Sequence, residues 1–237
     1  MQHQVAIEIS TRLRRLGDPE KARFLQRFFK TGPGEYAEGD CFIGLNVPQV
    51  RLLLREYRGL TPTGVLPLLM SPIHEERLFA LLSLVRCFDK GNQANREQVY
   101  NLYMANTSRI NNWDLVDISA PQIVGGYLLD RGCEPLDLLA QSVNLWERRI
   151  AIMATFAFIR RNRFEETMRL ARLLLHDRED LIHKAVGWML REVGKREQVV
   201  EEGFLREHCR VMPRTMLRYA IEKFPEEKRL MYLKGKC

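Results

Sequence analysis

Four segments recur at an almost constant distance, and that period restricts the architecture more than any other feature. They are Glu76-Arg77-Leu78-Phe79-Ala80, Asn112-Trp113-Asp114-Leu115-Val116, Arg148-Arg149-Ile150-Ala151-Ile152 and His183-Lys184-Ala185-Val186-Gly187. Each opens the longer helix of a helix pair. The matched positions 77, 113, 149 and 184 are separated by 113−77=36, 149−113=36 and 184−149=35 residues. A fixed period near 36 with two helices per unit is the signature of an α-solenoid. The Trp, Leu-Gly and Tyr pattern of tetratricopeptide repeats is absent, so HEAT-like repeats are preferred. The expectation is an all-α chain, an α-solenoid of HEAT-like helical repeats, forming a single domain over residues 1–237.

The remaining pattern fits that expectation. Val5, Ile9, Leu13 and Leu16 lie at helical spacing among Arg12, Arg14 and Arg15, predicting a first amphipathic helix over 3–16. Gly17 ends it. Asp18 is placed to cap the next helix, with Pro19 at its first position. That helix runs to about Lys30 on Ala22, Leu25, Phe28 and Phe29. Residues 31–44 break the pattern with four glycines and one proline. Tyr36 and Phe42 flank Glu38-Gly39-Asp40 there, and the stretch is either a short β-hairpin near 32–42 or an ordered loop. A helix starts at Val47-Pro48 and runs to about Tyr57. Further helical runs fall near 62–69, 72–88, 95–106, 112–129, 135–142, 145–160, 164–175, 178–193, 197–207 and 213–223. No strand pattern interrupts them.

Charge points to the class of partner. The 237 residues are 46% hydrophobic and 28% charged, with net charge +7 and pI about 9.3. A basic balance favours an anionic partner, and nucleic acid is the commonest large one. Cys41, Cys87, Cys133, Cys209 and Cys237 are scattered and never form a C-x-x-C pair, which argues against a zinc site or a disulfide framework. The first seventeen residues carry no signal-peptide core, and no apolar run is long enough to span a bilayer. A cytoplasmic, nucleoid-associated monomer without membrane contact is expected.

Within the second repeat, Trp113 and Asp117 are one helical turn apart and share a face, while Asp114 points elsewhere. The plain alternative is a core Trp and a helix-start Asp. Register places Asp117 with Met153 and Trp188, so Trp113, Asp117, Arg149, Lys184 and Trp188 are expected on one ridge. Arg109, Arg148, Arg149, Arg160, Lys184, Arg191, Arg214 and Arg218 are the candidate contacts to a DNA backbone. A carboxylate beside phosphates is useful only toward positive charge, such as an alkylated base or the oxocarbenium character of a breaking glycosidic bond. At about 4 Å and an effective dielectric near 20 that attraction is on the order of 4 kcal/mol before desolvation. The same carboxylate can position or deprotonate water, and each Trp can contribute about 0.5–2 kcal/mol by packing on a cationic centre.

Three segments carry a resemblance: Asn112-Trp113-Asp114-Leu115-Val116-Asp117, Leu145-Trp146-Glu147-Arg148-Arg149-Ile150-Ala151-Ile152, and Ile182 through Glu192 with Lys184 and Trp188. The chain resembles the AlkD-type DNA alkylation repair family, HEAT-like-repeat DNA glycosylases, over nearly its whole length. The resemblance implies base excision repair of N3- and N7-alkylated purines in duplex DNA, without metal or cofactor and without flipping the base into a pocket. It places the family's W-x-x-x-D pair on Trp113 and Asp117, its Arg on Arg149 and its second Trp on Trp188. One departure is Gly32–Cys41, which looks like an insertion. Some relatives with a hairpin in this region bind DNA with little or no glycosylase activity. The alternative is therefore a non-catalytic binder of branched or distorted DNA with the same fold; a protein-binding repeat scaffold is a third reading.

Overall fold

A computed structural model describes residues 2–236, and among them every regular element is helical. The helices are α1 (Gln2–Leu16), α2 (Pro19–Phe28), α3 (Val47–Glu56), α4 (Leu66–Leu69), α5 (His74–Lys90), α6 (Gln93–Met104), α7 (Trp113–Ala120), α8 (Gly126–Leu128), α9 (Glu134–Ala140) and α10 (Leu145–Ala154). They continue with α11 (Phe156–Ile159), α12 (Glu165–Leu173), α13 (Asp180–Gly194), α14 (Gln198–His208), α15 (Arg214–Ala220) and α16 (Glu226–Leu233). The chain divides into two compact units, Met1–Ser119 and Ala120–Cys237. No helix among the described residues is long and apolar enough to cross a membrane.

In the first unit α5 is the central element, packed by α1, α3, α4 and α6. Its first turn is unusual, because His74, Glu75, Glu76 and Arg77 are all buried. Local signals set the flanking helices. Asp18 caps α2 by accepting the backbone N–H groups of Glu20 and Lys21, with Pro19 at the first position. Asn46 and Gln49 form a reciprocal capping box on α3.

Residues 31–44 form a chain of turns, not a β-hairpin; the one bridge here is an isolated parallel contact of Cys41 with Ile73. The backbone donors are satisfied within the loop instead of across strands. Glu35 accepts the Gly32 N–H at 2.9 Å and Glu38 that of Gly34 at 2.9 Å. The loop then closes onto α5. The N–H groups of Ile43, Gly44 and Leu45 converge on the buried Glu75 carboxylate at 2.8–3.1 Å. Gly44 has φ +89°, and a Cβ there would lie 2.1 Å from the carbonyl oxygen of Asp18, so only glycine fits.

In the second unit α13 is central, packed by α10, α14 and α15. Gly187 permits the close approach of α15: a Cβ would meet the Met216 carbonyl oxygen at 2.4 Å. The continuous helix predicted over 112–129 is interrupted. Pro121 has no N–H to offer, and Pro121–Gly125 form a π-helical turn before α8. The run over 145–160 likewise divides at Thr155 into α10 and α11. Helix α16 had no counterpart in the sequence pattern, since its charged and apolar residues fall in two blocks, Glu226 to Arg229 and Leu230 to Leu233, without a helical alternation. Cys41, Cys87 and Cys133 are free thiols.

The repeats share a contact that corrects their register. Arg77 donates to the Ser71 carbonyl, Arg148 to the Ser142 carbonyl and His183 to the Asp177 carbonyl, each six residues back. Arg77 and Arg148 each also pair with a carboxylate, Asp40 and Asp177 respectively. Arg148, not Arg149, is therefore the equivalent of Arg77.

Replacing Glu75 with Ala strands three buried N–H groups. It should cost about 3 kcal/mol or more, measurable as a lowered urea midpoint.

Candidate active site

The first unit assembles a site around the start of α7. Asn112 accepts the Trp113 N–H at 2.9 Å, and the Trp113 ring is half-buried. It stacks on Phe29 at 5.1 Å, Phe29 stacks on Phe42 at 4.8 Å, and Phe42 stacks on His74 at 4.3 Å. Phe28 meets Trp113 edge-on at 6.2 Å. The Trp is thus one end of a pile of rings drawn from α2, the 31–44 loop, α5 and α7. Such a pile fixes the plane of its outer ring by contact on the other face.

The inner end of the pile is charged. His74 Nδ1 lies 2.9 Å from Asp40 and Nε2 lies 2.8 Å from Asp114, so both ring nitrogens face carboxylates. Burial works against charge on His74, but Asp114 and then Asp40 overcome it and push its pKa up to about 9. The imidazolium donates on both sides. Burial would raise the Asp40 carboxyl, yet His74 and Arg77 hold it below the usual range. Arg77 and Asn112 complete the shell of Asp40, Asn112 at 3.3 Å. Asp40 is only 4% exposed, although its loop resembles an insertion. Neither Asp40 nor His74 stood out in the sequence. They are 34 residues apart, and no local pattern joins them.

Asp114, expected to point away from the Trp113 face, is turned to His74, a partner that the sequence did not suggest. Asp117 lies one turn beyond Trp113 and is half-buried. Its charge reaches the interior. Burial pushes the Tyr103 phenol up, Ser119 opposes this through its hydrogen bond, and Asp117 adds to the rise. Arg109 is a backbone clamp more than a free cation, donating to the carbonyls of Met70 and Ser71.

The second unit holds the other expected residues. Trp188 is half-buried, donates from Nε1 to Glu192 at 3.0 Å and lies 6.5 Å from Phe156. Arg149 is 4% exposed and donates to the Leu181 carbonyl. Arg148 pairs with Asp177 at 2.6 Å, Lys184 with Asp180 at 2.8 Å, and Arg191 with Glu222. Arg160, Arg214 and Arg218 are exposed; Arg160 lies over the Phe156 ring and Arg214 donates to the Leu233 carbonyl. Among the described residues, no three His, Cys, Asp or Glu side chains are grouped to hold a metal ion.

Comparison with known proteins now decides the family. The model of the DNA alkylation repair enzyme family matches residues 9–224. The chain belongs to that family. A solved structure of a predicted DNA alkylation repair enzyme from Enterococcus faecalis is similar to it, with TM-score 0.67. The similarity covers 89% of this chain and 97% of that chain at 16% identity, which speaks for the fold alone. Among curated proteins no match is found. As a member of the DNA alkylation repair enzymes, the chain is placed in DNA repair, on an all-α repeat fold. The family match includes the 31–44 loop and all of α7, and ends before α16.

The His74 shift carries a stability signature. The folded pKa, about 9, lies above the ordinary value of 6.5. The stabilisation is therefore complete below about pH 6.5 and lost as pH rises through 9, a contribution of roughly 3 kcal/mol. Urea midpoints measured from pH 6 to 10 should fall for the wild type and fall much less for His74→Asn.

Proposed function

We propose that this DNA alkylation repair protein is a monofunctional DNA glycosylase that hydrolyses the N-glycosidic bond of cationic N3- and N7-alkylated purines in duplex DNA. The observation that carries the reading is the pairing on α7. Trp113 is held by the ring pile and partly open, Asp117 is one turn away and partly open, and Asp114 is already committed to His74. Trp113 and Asp117 are thus both partly accessible on one face of the helix.

The chemistry follows from charge. An alkylated purine carries a positive charge, which makes it a good leaving group. As the bond from C1′ to the base nitrogen breaks, the bonding pair goes to the base and neutralises it, and positive charge grows on the sugar. Asp117 stabilises that charge and orients the incoming water. Water oxygen bonds to C1′, and its proton passes by way of Asp117 to solvent. Trp113 packs against the cationic base or sugar. Trp188 is the candidate for a second aromatic contact, by the family resemblance alone. Arg160, Arg214 and Arg218 are the exposed cations best suited to phosphates. Arg149 keeps the site role that the family resemblance implies for it.

The test is release of N7-methylguanine and N3-methyladenine from methylated duplex DNA. The wild type should release both. Asp117→Asn should bind the same DNA within a factor of about two and lose about 10²–10⁴ in excision rate. Binding without release by the wild type would replace this reading with the non-catalytic one.

A further inference from the structure

Helix α2 is an anomaly in a well-packed unit. None of its ten residues is buried. Phe28, expected in the apolar pattern of this helix, is 55% exposed, and Phe24 is 59% exposed. Their rings lie 6.1 Å apart and only 16° from parallel, one turn apart along the helix. Phe28 also touches Trp113 edge-on at 6.2 Å. The two rings therefore extend the aromatic surface of the site outward along α2.

Charge says what covers this ledge. Between Pro19 and Lys30 there are four cations, Lys21, Arg23, Arg27 and Lys30, against one carboxylate, Glu20, a net of 4−1=+3. All four cations are exposed. Lys21 has Asp18 at 3.6 Å, while Arg23 and Arg27 have no acidic partner among the described residues. Arg23 and Arg27 form one column on the helix, directly beside the Phe24 and Phe28 column. Exposed parallel rings edged by unpaired guanidinium groups match a nucleic-acid strand. The rings receive base faces and the cations receive phosphates. A protein partner or a second copy of this basic chain would offer no such match to an uncompensated positive edge.

We infer that Phe24 and Phe28 of α2 form a stacking platform for an unpaired nucleobase of duplex DNA next to the Trp113 site, with Arg23 and Arg27 holding the flanking phosphates. The inference rests on the DNA-repair reading for its choice of partner and is independent of the Asp117 chemistry. Stacking is tolerant of sequence, because every base has a π-face. The platform therefore takes whichever base loses its partner beside a lesion.

The test uses full-length protein and two fluorescein-labelled duplexes, one fully paired and one with a tetrahydrofuran abasic analogue opposite an unpaired base. Fluorescence anisotropy gives the affinities over a range of salt. Phe24→Ala/Phe28→Ala should weaken binding to the abasic duplex about tenfold or more and to the paired duplex much less. Its salt slope should match the wild type, because no charge is removed. Phe24→Trp/Phe28→Trp should restore binding. Arg23→Ala/Arg27→Ala should weaken both duplexes alike and reduce the slope of log K against log salt by about 2. Unchanged affinity of the double-Ala variant for the abasic duplex would overturn the inference. So would failure of the wild type to prefer that duplex, or a wild type that self-associates through these rings, shown by a dimer that the double-Ala variant loses while its DNA binding stays intact. Because the readout is binding, a wild type that binds but releases no base refutes the glycosylase reading and leaves this one standing.

Discussion

Asp40 is buried between two cations, His74 and Arg77, and His74 in turn holds Asp114. Removing one partner from such a network leaves an uncompensated charge in the interior, which costs about 3–5 kcal/mol. The network therefore enforces its geometry. It pins the end of the 31–44 loop to the first turn of α5, and α5 to the first turn of α7. The Glu75 carboxylate fastens the same loop a second time through the Ile43, Gly44 and Leu45 N–H groups. A stretch rich in glycine and turns becomes a fixed part of the unit by this means.

The aromatic pile follows from the same network. Phe42 comes from the pinned loop, His74 from the network and Phe29 from the end of α2, so the plane of Trp113 is set by elements far apart in sequence. Asp114 and Asp117 sit on one short helix yet have separate uses. The first is held by His74, and the second lies on the Trp113 face. A division of labour between two carboxylates three residues apart follows from helical geometry, because they point in different directions around the axis.

The second unit repeats part of this logic in a different chemistry. Arg148 takes the place of Arg77, clamping a carbonyl six residues back and pairing with Asp177 as Arg77 pairs with Asp40. His183 keeps only the carbonyl clamp. The clamp ties each long helix to the connection that precedes it, and it explains why the basic residues at these starts are mostly engaged within the protein.

Sequence alone determined the helical repeats, the caps at Asp18 and Pro19, the shared face of Trp113 and Asp117, and the membership suggested by those motifs. These are local properties, set by periodicity near 3.6 residues, by capping chemistry and by a fixed repeat length. The register was off by one, because Arg148 and Arg149 are both basic and only the carbonyl clamp distinguishes them. The turns of 31–44, the burial of Asp40 and Arg149, the charged state of His74 and the exposure of Phe24 and Phe28 were decided by tertiary structure. Each depends on which distant group supplies, or fails to supply, a partner: a carboxylate for a buried imidazolium, a carbonyl for a guanidinium, a packed neighbour for a ring. A spacing rule along one helix carries no information about that.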